Sequence, residues 1–180
     1  MGTFYCVPKI DKNGTWLSIN VEQQKKSRWC WAAITRATGL YYETSNLSQE
    51  EIVKELLIDA EFNENLYTKS EIEEKNINFK LDVALKYVEA FSHWSAGKPS
   101  FERIQFEINQ GRPFCARIEW FKSGAHYILI KGYNANQRTI FIDDPLHGFH
   151  IEKYKNFPDE YNKSGAVWTE TFWTNKKETK

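Results

Sequence analysis

The sequence predicts an α+β fold: a mainly helical lobe, about residues 22–110, packed against a mainly antiparallel β-sheet or half-barrel lobe, about residues 111–180. Three observations predict it. Apolar residues recur at helical spacing before Gly111. After Gly111 the texture changes to runs rich in β-branched and aromatic residues. The 180 residues, 41% hydrophobic and 16% aromatic, are enough for one core without disulfide or metal staples. A single domain over 1–180 is expected, with the cleft between the lobes as the natural site.

The elements follow in order. Residues 4–10 and 15–21 read as short strands, joined at Asn13-Gly14, a strong hairpin signal. After the polar stretch 22–28, CWAAITRATGLYY suits a helix from Cys30 to Tyr42, with Gly39 near its end. Ser48 followed by Gln49, Glu50 and Glu51 forms a capping box that opens a helix through Leu57. Residues 59–80 are polar and read as loop with a turn of helix. Residues 82–93 (DVALKYVEAFSH) read as an amphipathic helix. Pro99-Ser100 starts another, running to Gln110 and stopped by Gly111. Strands are expected at 113–121, 125–133, 139–143 and 166–174, and 146–150 reads as a surface loop.

Charge and cysteine count exclude several functions. Lys plus Arg equals Asp plus Glu, 24 each, so nothing favours nucleic acid or an anionic membrane. No apolar run approaches the length of a membrane span, and no secretory signal is visible, so a cytoplasmic protein, or one secreted without a classical signal peptide, is expected. Cys6, Cys30 and Cys115 are an odd set without a CxxC pair, a poor disulfide framework and a poor zinc site. A Cys6–Cys115 bridge stays open. His147 and His150 lack the helical spacing and acidic partners of a metal site.

Nucleophilic chemistry is better represented. Cys30 falls at the first turn of a helix, where the partial positive charge stabilises a thiolate. An ordinary buried thiol is the competing reading. Trp29 and Trp31 flank it as candidate pocket walls, joined by Trp94 and Trp120. Gln24, six positions upstream, can pair its amide with the Cys30 N–H to hold an oxyanion; Gln23 competes for that role. His126 opens an apolar strand, where a rigid backbone can position a base; His93, His147 and His150 are the other histidines. Asp144 closes the next strand, 18 positions on, before Pro145. Antiparallel pairing across the turn at 134–138 would bring it to His126 as an orienting group, with Asp143 on the opposite face.

Taken together, residues 24–33 (QKKSRWCWAA) resemble the Gln-x5-Cys-Trp-Ala segment of papain-like cysteine peptidases. The form WCWAA looks most like the bacterial branch with the AvrRpt2-type effector peptidases. HYILIKGYN and TIFIDDP, within 126–145, are similar to the His strand and Asp-Pro strand of that branch and of C39-like peptidases, and GRPFCARIEW is similar to the preceding strand. The resemblance implies a papain-like fold without a cofactor, with Cys30 as nucleophile, His126 as base, Asp144 as third member and Gln24 as oxyanion donor. Papain itself uses Asn as third member, and no long propeptide precedes the motif here. The expected activity is a cysteine endopeptidase acting on a protein or peptide through a thioacyl-enzyme, as a bacterial effector or toxin, or as a peptide-processing protease. The same triad serves amide acyltransferases and deamidases, and a catalytically silent peptidase-like binding domain is the remaining alternative.

Overall fold

The computed structural model describes residues 7–58, 68–121, 124–162 and 165–177. Two short strands, β1 (Lys9–Asp11) and β2 (Gly14–Trp16), form a hairpin with Asp11 opposite Gly14. Gly14 has φ +146°, and a Cβ there would lie 2.4 Å from the Tyr133 carbonyl oxygen, so the turn requires glycine. The strand reading to residue 21 is too long: β2 ends at Trp16, the Leu17 N–H makes one more bond to the Lys131 carbonyl, and the chain then continues outside the strand with Leu17 and Ile19 buried. Residues 4–6 of the first expected strand lie outside the described residues.

Helices follow. α1 (Cys30–Tyr42) has the predicted bounds, because Glu43 at φ 58° turns the chain out of the helix. α2 (Gln49–Leu56) opens on the predicted capping box, with Ser48 accepting from the Glu51 N–H and Glu51 reaching back to the Ser48 N–H. α3 (Lys69–Glu73) is the turn of helix expected within 59–80 and has its own capping box at Thr68. α4 (Leu81–Tyr87) is shorter than predicted. Glu89 at φ 56° reverses the chain, and Phe91–Ala96 becomes a strand, β3. α5 (Phe101–Asn109) is capped by Ser100 and ends before Gly111 at φ 72°.

The second part supplies the rest of the sheet: β4 (Phe114–Trp120), β5 (Gly124–Asn134), β6 (Thr139–Asp144), β7 (Gly148–Lys153) and β8 (Ala166–Thr174). All pairings are antiparallel, in the order β1-β2-β5-β4-β8-β3, with β6 on β5 and β7 on β6. β5 is the hub. Residues 124–130 pair with β4 and residues 132–133 with β2, while β6 takes the opposite edge. β7 occupies the expected surface loop; it exists through pairing with β6, which local composition does not encode. β3 is likewise held by β8. One core joins α1, α4, α5 and the sheet, with Trp31, Ile34, Leu85, Ile104, Phe114 and Ile128 fully buried. No helix among the described residues is long and apolar enough to cross a membrane.

Candidate active site

The start of α1 is prepared by its sequence. Trp29 at the N-cap provides no side-chain acceptor, and the first turn has no acidic residue, so no side chain neutralises that helix end before Cys30. The loop leading in is pinned from several sides. Arg28 pairs with Glu71 at 2.8 Å, and Gln49 donates to Glu22 and to the Gln23 carbonyl. The Trp29 indole N–H donates to the Lys75 carbonyl and that of Trp31 to the Ile77 carbonyl. Both indoles are buried, so these tryptophans anchor the helix and do not form the expected pocket walls. Trp94, on β3, is 58% exposed, and Trp120 is partly buried.

The strand register explains how His126 meets Asp144. Leu129 lies opposite Asp143, which places Asp144 level with Ile128. Side chains alternate along a strand, so residues 126, 128 and 144 share one face, while Asp143 shares the other with Leu129 and Lys131. The contacts follow that parity. His126 Nε2 lies 2.7 Å from Asp144 Oδ1, and Lys131 Nζ lies 2.9 Å from Asp143 Oδ2. The Val21 N–H also donates to Asp143, so this second pair ties the segment after β2 to the sheet.

Cys30 lies near enough to His126 to favour the protonated imidazole. Nε2 is taken by Asp144, which leaves Nδ1 for the thiol. Burial opposes charge on His126, but Asp144 and Cys30 outweigh it and push its pKa up to about 9. For Asp144, burial works to raise the pKa; the hydrogen bonds from His126, Tyr161 and the Leu146 N–H prevail and hold it down at about 2. Its Oδ1 accepts from His126 and from the N–H groups of Leu146 and His147, and its Oδ2 accepts from the Tyr161 hydroxyl at 2.6 Å. The cluster thus places an imidazole whose protonated form is favoured between a carboxylate and a thiol.

The side chains of the other histidine candidates have different partners. His93 stacks on Trp173. His150 rests edge-on to Tyr161, and its Nε2 lies 3.2 Å from the His147 carbonyl oxygen. Among the described residues, no group of three or more His, Cys, Asp or Glu could hold a metal ion. Cys115 is fully buried with a free thiol, and Cys6 lies outside the described residues. Between the glutamines, Gln24 is buried and Gln23 exposed, and the Gln24 N–H donates to the Pro145 carbonyl at 2.8 Å, beside Asp144. The Gln24 side chain is not turned as expected. Nε2 donates to the carbonyls of Lys26 at 2.9 Å and Ser27 at 2.8 Å, and Oε1 is buried without a partner. Two nearby carbonyls attract both amide hydrogens, a local competition that spacing alone does not reveal. Tyr161 was missed because nothing in its own segment marks it; its partner is 17 residues away.

Among the solved structures that share this fold are two peptidase domains. The peptidase domain of Streptococcus ComA, a bi-functional ABC transporter involved in a quorum-sensing pathway, matches with a TM-score of 0.53 and 19% identity over 88% of this chain and 99% of that one. A double-glycine-motif protease from an AMS/PCAT transporter, in complex with its leader peptide, matches with a TM-score of 0.50 and 15% identity over 94% of this chain and 99% of that one. No curated protein sequence matches the chain. The chain thus shares the fold of these two peptidase domains. Residues 16–172 match the Peptidase_C39-like family, and the chain belongs to that family.

Proposed function

We propose that the protein is a cysteine endopeptidase with Cys30 as nucleophile, His126 as general base and acid, and Asp144 as the group that orients His126. The observation that carries the reading is the His126–Asp144 hydrogen bond between same-face positions of β5 and β6, with Cys30 at the first turn of α1 close enough to act on His126. Family membership agrees with it. The Cys30 thiolate attacks the scissile carbonyl carbon, and the C=O π electrons move to oxygen. As the tetrahedral intermediate collapses, the C–N bond breaks and His126 gives its proton to the leaving amine, leaving a thioester on Cys30. Water then adds to the thioester, His126 takes its proton, and the carboxylic acid leaves as the thiolate returns.

The oxyanion in this reading is held by the Cys30 N–H and by Gln24 Nε2. This role requires Gln24 Nε2 to turn away from the Lys26 or Ser27 carbonyl that it now binds. Gln24→Ala is expected to lower turnover by roughly 10²–10³ with the fold intact, the usual cost of one oxyanion donor. An unchanged rate, together with severe impairment in Gln23→Ala, would move the role one residue back.

The substrate in this reading is a peptide or exposed protein segment, in line with the leader peptide bound to the double-glycine-motif protease. Its role is that of a peptide-processing protease; the WCWAA likeness to AvrRpt2-type effectors supplies the second reading, a bacterial effector. Incubation with a mixed peptide library, read by product mass, tests the reaction. Cleavage splits chains into two products. A gain of about one dalton per site without cleavage would identify a deamidase instead.

A further inference from the structure

We propose that Tyr161 is a positioning residue for this site: its hydroxyl fixes the plane of the Asp144 carboxylate so that Oδ1 stays directed at His126. The proposal rests on the reading of Cys30, His126 and Asp144 given above. Asp144 Oδ1 carries three donors, from His126, Leu146 and His147, whereas the donor on Oδ2 is the Tyr161 hydroxyl at 2.6 Å. Asp144 is 1% exposed, so water does not substitute. Without Tyr161, Oδ2 would be a buried charged oxygen lacking that partner, and rotation of the carboxylate would relieve it at the expense of the His126 contact.

The phenol is built to hold one orientation. Its ring packs edge-on to Phe157 at 5.2 Å and His150 at 5.5 Å, and its N–H donates to the Pro158 carbonyl at 2.9 Å. Lys98 fixes the turn that carries it, donating to the Phe157 carbonyl at 2.6 Å and also to the Tyr154 carbonyl. Burial and the adjacent Asp144 anion push the Tyr161 pKa up, so the hydroxyl keeps its proton and always donates. A tyrosine that merely filled space would need the ring and not the hydroxyl.

Tyr161→Phe separates the two, since the ring packing is retained. Tyr133→Phe is the control: it also deletes a hydroxyl hydrogen bond, to Asn109 Oδ1 at 2.9 Å, but away from the site. Two readouts are compared: kcat and KM on a peptide the wild type cleaves, and the proton resonance of the His126 ring N–H, assigned by its loss in His126→Ala. In Tyr161→Phe, kcat is expected to fall on the order of tenfold, the size of one hydrogen bond to a charged group, with KM unchanged. The ring N–H resonance shifts or broadens. Tyr133→Phe matches the wild type in both. Wild-type kcat and resonance in Tyr161→Phe would overturn the proposal, as would equal losses in both variants. If the wild type cleaves no peptide, the catalytic reading fails, while the resonance still decides whether Tyr161 orients the carboxylate.

Discussion

Cys30→Ala and His126→Ala are each expected to abolish turnover, by about 10⁴–10⁶-fold, while leaving the protein folded. In the proposed mechanism the thiol and the imidazole act as one unit. Once either is gone, the other has no partner to activate or be activated by. The double variant is therefore expected to fall no further than the single ones, which independent contributions would not produce. Turnover by a purified peptide-cleavage assay, with circular dichroism as the folding check, measures this. Retained activity in either single variant would remove that residue from the mechanism.

Asp144→Ala is expected to act on both activity and stability. It removes the orienting partner of His126, which costs turnover on the order of 10³–10⁴. It also leaves the His126 ring, 13% exposed, as a nearly buried cation without its carboxylate, and deprives Tyr161, Leu146 and His147 of their acceptor. Breaking such a pair costs about 3–5 kcal/mol. The pH dependence follows from the two shifts. Asp144 is held at about 2 against a usual 3.8, so its contribution is present above pH 3.8 and lost as pH falls toward 2. His126 is raised to about 9 from 6.5, so its contribution is full below pH 6.5 and lost as pH rises through 9. The stability gap between wild type and Asp144→Ala is thus widest between pH 3.8 and 6.5 and narrows on both sides. Urea denaturation across that range checks it. A gap independent of pH would mean that the pair is not ionic.

Local chemistry made much of this structure readable in advance. α1 and α2 were legible because helical periodicity, a capping box and a run of small and apolar residues all act within a few positions. β4, β5, β6 and β8 were legible from β-branched and aromatic composition. Where pairing is set by distant partners, sequence reasoning failed. The stretch 91–93 fits a helix locally but is a strand through β8, and 148–153 reads as loop until β6 pairs with it. The site divides the same way. The meeting of His126 with Asp144 followed from strand alternation, whereas Tyr161 reaches Asp144 from an irregular turn with no periodicity. The Gln24 amide turned to carbonyls two and three residues on, a choice among equivalent acceptors that only the folded loop decides.

Selective alkylation tests most directly whether Cys30 is an activated nucleophile. An ordinary thiol, with a pKa near about 8.5, is almost wholly protonated at pH 6 and reacts slowly. Cys115 is fully buried, and burial raises its pKa far above that of a free thiol, so it should stay unlabelled in the folded protein. Cys6 is expected to react slowly at most. Iodoacetamide at pH 6, read by peptide mass, should label Cys30 first, and His126→Ala should suppress that labelling. Equal labelling of all three cysteines, or a silent Cys30 in the folded protein, would contradict the account and leave a binding domain on a peptidase fold.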